Sequence, residues 1–330
     1  MKRLTLVLPG VEGLAELREG SAALKLDLPA WARIDAKADR EQWPVSGYEA
    51  ALFQLFGMTS KPAPVAAVTV TQDLPDSEQA GVWLRADPVY LRADRDHLRF
   101  FDAHVLELTQ QEAETLAAEI GAIYADLGWQ LHVAAPDRWY LRVDAEPDLV
   151  TVPPSEIVGR VVDPFLPTGP ERNRWHALMT EMQMVLHMSE VNARRERQGR
   201  LPVNSVWFWG NGPSPTTGGV VFDGRLTSDD PLAIALAHYM GMEAGSLNDA
   251  ENPRALTAME SILVDHRLLR LSLYAEAERW QAEREALEQR WIEPGLAALH
   301  ARQIDELRVI GSSGNVWRLR RRHLWRFWRR

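Results

Sequence analysis

Hydrophobic and polar positions divide this chain into a sheet-forming start, a separable middle and a helix-rich return. Leu4 to Leu8 is apolar throughout, the pattern of a central strand buried on both faces. Pro29 to Lys37 and Gly47 to Phe56 carry helical spacing. The run TSKPAP at 59–64 has the composition of a linker, and the apolar, β-branched Val65 to Val70 predicts a strand after it. More strands are predicted at Val82 to Leu84 and His97 to Phe101. An amphipathic helix follows from Thr109 to Leu127, with Thr109 as N-cap, Glu112 completing a capping box, and Leu116, Ile120, Ile123 and Leu127 along one face. Strands at Trp129 to Val133 and Trp139 to Val143 close this unit. Several strands with one helix, entered and left through proline-bearing links, predict a small α+β insertion over 62–153.

Beyond it the pattern turns helical. Glu171 to Arg197 reads as one long helix with Trp175, Leu178, Met182, Val185 and Leu186 on an apolar stripe. Asn192 to Gly212 then reads as helix end, turn, buried strand and glycine loop: Gly199 and Pro202 stop the helix, Val203 to Trp209 is β-branched and aromatic, and Gly210 and Gly212 turn the chain. In an open α/β sheet ligands sit at the carboxyl ends of strands, which makes that glycine exit a candidate site edge; a plain tight turn explains it equally. Asp230 to Tyr239 begins another helix capped by Asp229 or Ser228, Ile262 to Val264 is a strand, and Leu273 to Trp291 with Ile292 to Arg302 form two helices. Leu307 to Ile310 and Val316 to Arg320, separated by GSSGN, predict a hairpin.

At 330 residues, with 46% hydrophobic and 25% charged, the chain is long enough for one large or two ordinary domains. It has no cysteine, which excludes disulfides, thiolate metal sites and thiol nucleophiles. No stretch approaches the roughly 20 apolar residues of a membrane span, and the start lacks a signal-peptide pattern, so a cytoplasmic location is expected. The formal charge is -9, yet no acidic residue occurs from Arg308 to Arg330, where arginines interleave with Trp317, Trp325, Phe327 and Trp328. Such an end suits nucleic acid or an anionic membrane surface. A final strand and docked helix, with arginines lying over tryptophans, explains the same pattern without a ligand.

The spaced set Asn192, Arg195, Gly199, Pro202, Asn204, Gly210 and Gly212 resembles a segment of the archaeal-type 2,3-bisphosphoglycerate-independent phosphoglycerate mutases. Elsewhere RADPVYLRADRDHLRFFD (Arg85 to Asp102), PDRWYLR (Pro136 to Arg142), LPTGPERNRW (Leu166 to Trp175), EMQMVLH (Glu181 to His187) and the terminal LWRFWRR resemble the RpfE-type regulatory proteins, a bacterial offshoot of that group. The resemblance implies an alkaline-phosphatase-like α/β/α sandwich with a small α+β insertion, the core spanning 1–61 and 154–330 and the insertion 62–153. It also implies a ligand segment at Asn192, Arg195, Asn204, Gly210 and Gly212.

The mutases of this family use two metal ions, usually manganese or zinc, held by Asp and His, and a transiently phosphorylated serine. Where the family's first strand ends in Asp-Gly, this chain has Leu8, Pro9 and Gly10; neither Leu nor Pro offers a side-chain ligand, and Glu12 is the nearest acid. Ser46 lacks the family's flanking residues and has no identifiable activating partner. Asp265 and His266, after Ile262 to Val264, are weak metal candidates. Trp209 stands where the family has the arginine of its Arg-Gly-Ala-Gly run, and Ser189 with Glu190 replaces its His-Pro. Asp87, Asp94, Asp96 and His97 alternate with arginines, which predicts mutual neutralisation rather than a metal site. The expectation is a degenerate, non-catalytic mutase-like protein with a regulatory or ligand-binding role, no cofactor, and a small anion or a protein as partner. An active enzyme with manganese or zinc, and a nucleic-acid or membrane binder acting through the C-terminal tail, are the alternatives.

Overall fold

A computed structural model describes residues 1–14, 28–58, 62–76, 78–215, 223–248 and 259–326. The chain divides into two compact units, one built from Met1–Met58 with Thr217–Arg330, the other from Thr59–Thr216.

The first unit is a seven-stranded sheet. Its centre is parallel: β1 (Arg3–Val7) lies between β10 (Glu260–Val264) and β11 (Glu306–Ile310), and β8 (Gly224–Ser228) and β9 (Glu243–Gly245) extend it beyond β10. At the other edge β12 (Asn315–Arg320) returns antiparallel on β11, the expected hairpin, and β2 (Asp39–Gln42) pairs with β12. One face of the sheet, with Leu4, Leu6, Leu263, Leu307, Val309, Trp317 and Leu319, forms the main hydrophobic cluster. It packs against α1 (Pro29–Lys37), α9 (Ala277–Leu287) and α10 (Glu293–His300) through Ile34, Trp280, Leu287, Leu296 and Leu299. Each fully buried leucine there contributes about 1.5–3 kcal/mol. The Glu288 carboxylate caps α1, accepting from the backbone N–H of Ala30 at 2.7 Å and Trp31 at 3.0 Å. The α2 helix (Tyr48–Leu55) packs with α7 (Pro231–Tyr239), which lies against β8 and β9. Asp230 is the cap of α7, accepting from Ala233 N at 2.7 Å, while Ser228 Oγ accepts from Asp230 N. The predicted helix over Leu273 to Trp291 starts and ends differently: α8 (Arg267–Leu273) precedes α9, and a π-helical turn at Glu288–Ile292 joins α9 to α10.

The second unit is α+β around an antiparallel sheet. β3 (Val82–Asp94) is its spine, pairing with β4 (His97–Phe101), with β6 (Arg138–Val143) and with β7 (Ser205–Trp209); β5 (Gln130–Ala135) lies outside β6. The capping box of α4 (Gln110–Tyr124) forms as expected between Thr109 and Glu112. Its buried face is Ala113, Leu116, Ala117, Ile120 and Tyr124, whereas Ile123 and Leu127 are exposed. Val65 to Val70 is not a strand but part of α3 (Val65–Asp73). A short continuous apolar run does not distinguish a strand from a buried helix. Here Thr69 and Thr71 return their hydroxyls to the carbonyls of Val65 and Val68, and the helix packs on β3. The predicted helix over Glu171 to Arg197 breaks at Ser189 into α5 (Arg172–Met188) and α6 (Glu190–Arg197), because Ser189 Oγ caps the second by accepting from Val191 N at 3.2 Å.

This is the mixed α/β core with a smaller α+β unit that the family resemblance implies, but its boundary moves. Residues 154–216 belong to the second unit, not the core, since β7 pairs along β3 and Trp175 on α5 packs edge-on to Phe208 at 4.9 Å.

Candidate functional site

In the Asn192 to Gly212 segment the structure turns every candidate side chain inward. The Asn192 amide donates to the carbonyls of Leu186 and Val203, both at 2.7 Å, and accepts from Val203 N at 2.9 Å. Arg195 has no exposed surface; it donates to Glu112 at 2.9 Å, to Leu201 O at 2.9 Å and to Leu106 O. Asn204 exchanges hydrogen bonds with the backbone of Leu91, at 2.7 and 2.8 Å, just ahead of the start of β7. Gly210 and Gly212 adopt φ of +65° and +138°, and a Cβ there would stand 3.0 Å from Val65 Cβ and 3.1 Å from Pro64 Cβ. The glycine exit therefore closes on the start of α3, with Ala66 N donating to Gly210 O at 3.0 Å. Because β7 runs antiparallel in the second unit's sheet, its exit is not a carboxyl edge of the parallel sheet. The printed contacts of these five residues lie within their own unit.

Trp209 has a partner of its own. Its indole donates to Asp87 at 2.7 Å, and Asp87 is held by Arg85, whose guanidinium lies 5.0 Å from the Trp209 ring and 5.3 Å from Tyr140. Asp87 is thereby separated from Asp94, which pairs with Arg99 at 2.7 Å, and from Asp96, which lies 3.6 Å from His97. Mutual neutralisation is the arrangement observed.

The carboxyl ends of β8, β10 and β1 in the first unit gather a second polar set. Asp265, fully buried, follows β10; its oxygens accept from the Arg267 guanidinium, one contact at 2.8 Å, and from Trp291 Nε1 at 2.9 Å. Burial pushes the Asp265 carboxyl up, but the hydrogen bonds from Arg267 and Trp291 outweigh it and hold the group below the usual carboxylate range. His266 turns elsewhere, its Nδ1 3.8 Å from Asp230. Tyr48 on α2 is buried close to Asp230, and burial together with the Asp230 and Glu49 carboxylates raises its phenol well above the usual value. Pattern alone marked Asp230 only as a helix start, and nothing local to Asp265 signals Trp291, 26 positions on.

A divalent ion at this edge would need oxygen or imidazole ligands that converge. Asp265 and His266 diverge, Arg267 fills the Asp265 carboxylate, and among the described residues no group of three His, Asp or Glu side chains is placed to hold an ion. Glu12 does not supply the missing ligand. Its carboxylate is absorbed by the GSSGN turn, accepting from Ser312 N and Oγ at 3.1 Å each, from Ser313 Oγ and from Asn315 Nδ2 at 2.8 Å. Ser46 lies exposed in the loop before α2. Among the described residues, the side chains at this edge do not fit the two-metal site that the family resemblance implies.

Four arginines of the basic end pair with carboxylates of their own unit. Arg318 meets Glu41 at 3.0 Å, Arg320 meets Glu306 at 2.7 Å, Arg321 meets Asp305 at 2.7 Å, and Arg326 meets Asp39 at 2.7 Å. Trp317 packs edge-on to Trp31 at 4.9 Å. Phe327 and Trp328 lie outside the described residues. Among the described residues no helix is long and apolar enough to cross a membrane.

The chain is a mixed α/β protein, and its sequence has a phosphoglycerate mutase-like relationship at low identity. It is 28% identical over 193 residues to the 2,3-bisphosphoglycerate-independent phosphoglycerate mutase of Methanosarcina barkeri, covering 55% of this chain and 43% of that protein. It is 27% identical over 212 residues to mutase 2 of Methanothermobacter thermautotrophicus, 63% of this chain and 48% of that one. The chain thus spans less than half the length of these curated relatives. No protein-family model matches it. Among solved structures, the PH0037 protein from Pyrococcus horikoshii shares the fold, with a TM-score of 0.51 at 12% identity over 97% of this chain and 87% of that one.

Proposed function

We propose that this chain is a mutase-like protein without mutase chemistry, acting in the cytoplasm as a binding or regulatory protein of the RpfE type. The observation that carries this reading is the closure of Asp265 by Arg267 and Trp291. A carboxylate whose oxygens accept from a guanidinium and an indole offers no free lone pair in the direction of a cation, and a positive charge beside it repels one. Pro9 at the end of β1 supports the same conclusion, since a ligand is missing where the family carries one.

The test is elemental analysis of the purified protein after loading with manganese and with zinc, combined with an assay of 2- and 3-phosphoglycerate interconversion on the same sample. Substoichiometric metal and no turnover are expected. Two tightly held ions per chain with turnover would overturn the reading and assign a metal-dependent mutase.

A further inference from the structure

We propose that Thr5, Arg308 and Arg318 form a binding site for a phosphate-bearing anion, on the face of the seven-stranded sheet opposite its main hydrophobic cluster. Strand register puts the three in one row: Thr5 pairs with Arg308 across β1 and β11, and Arg308 with Arg318 across β11 and β12. Their neighbours Leu4, Leu6, Leu307, Val309, Trp317 and Leu319 point to the other face.

The adjacent row shows what a satisfied arrangement looks like. There Arg3 lies between Glu260 and Glu306, at 2.9 Å from each, and Arg320 closes on Glu306 at 2.7 Å. Opposite charges alternate. In the Thr5 row two arginines face each other instead, and the carboxylate of that row, Asp39 across β2 from Arg318, meets Arg326 at 2.7 Å and His323 at 3.3 Å. Arg308 is 8% exposed, and its carboxylate contact is Glu306 at 3.4 Å, already shared with Arg3 and Arg320. Around these two rows four guanidiniums, of Arg3, Arg308, Arg318 and Arg320, meet the carboxylates of Glu41, Glu260 and Glu306. Thr5 Oγ1, Arg308 Nε and Arg318 Nε are all buried without a hydrogen-bond partner. Burial and the nearby Arg3 and Arg318 depress the Arg308 guanidinium, in keeping with a missing anion.

A side-on guanidinium grip uses Nε with one terminal nitrogen, and Nε is the unpartnered atom of both arginines. Neighbouring strands stand about 4.8 Å apart, so donors from three of them suit a tetrahedral oxyanion better than a planar carboxylate. The site shares no residue with the Asp265 set and stands whether or not the protein turns over phosphoglycerate.

The experiment is calorimetric titration of the full chain with inorganic phosphate and with glycerol 3-phosphate at fixed ionic strength, using sodium chloride as control. Saturable binding at one site per chain is expected, weakened about ten-fold or more in Arg318→Gln. Tighter binding of the ester assigns the site to a phosphomonoester, and tighter binding of the free ion to phosphate itself; both uphold it. Arg308→Met keeps the side-chain length and removes a buried charge whose carboxylate contact, Glu306, retains Arg3 and Arg320, so in phosphate-free buffer it is expected to melt no lower than the wild type. Added phosphate should then raise the melting temperature of the wild type alone. Absence of saturable phosphate binding in the wild type, or binding as tight as the wild type's in Arg318→Gln and Arg308→Met, would overturn the proposal.

Discussion

Arg195 shows how far the role of a residue depends on what surrounds it. A guanidinium near a glycine-rich turn is a natural anion clamp, yet this one is spent on Glu112 and on the carbonyls of Leu106 and Leu201. Replacing it by alanine leaves buried acceptors unmatched, and a loss of about 3–5 kcal/mol is expected in urea denaturation. Arg200 meets the same carboxylate at 2.9 Å with a side chain 32% exposed, and its alanine variant should lose only about 0–1 kcal/mol. Comparable losses from the two variants would contradict this division. The residue types of the segment were legible in sequence. Their direction was not, because Glu112 and Leu106 lie more than 80 positions away.

Elements with local signals followed their sequence. The capping box at Thr109 and Glu112, the hairpin around GSSGN and the short strands β4, β5 and β6 all depend on residues near one another in the chain. The α3 helix and the long β3 do not. Pro88 interrupts the local strand signal, but β3 continues through it because β7 supplies a partner there, with Pro88 opposite Val206. The same box gives a pH prediction. Burial raises the Glu112 carboxyl, but the Thr109 N–H, Arg195 and Arg200 more than offset this and its folded value lies below the usual one. A depressed carboxyl contributes stability that is present above the unfolded value, about 4.3, and lost as pH falls from there through the lower folded value. Wild-type stability should therefore fall more steeply across that acid window than that of Glu112→Gln, as read from denaturation midpoints.

At the scale of the molecule, two sheets with separate cores make two units, and the residues that belong to each are set by strand pairing rather than by composition. Thr59–Thr216 contains every partner of β3 and the stacked Trp129 and Trp175, 5.4 Å apart. Expressed alone, that segment should unfold cooperatively and keep its near-ultraviolet circular dichroism. A chain without fixed tertiary signal would show that its core depends on the other unit. An expression boundary at 153 would remove β7 and should fail to fold.

The α/β character, the capping box at Thr109 and the hairpin around GSSGN were legible in sequence alone, because each rests on neighbouring residues. Tertiary structure decided that 154–216 joins the second unit, that Asn192, Arg195 and Asn204 hold backbone in place, and that Arg267 and Trp291 close on Asp265. It also decided that Thr5, Arg308 and Arg318 share one row. Register across strands distant in sequence sets these contacts, and no local pattern encodes it.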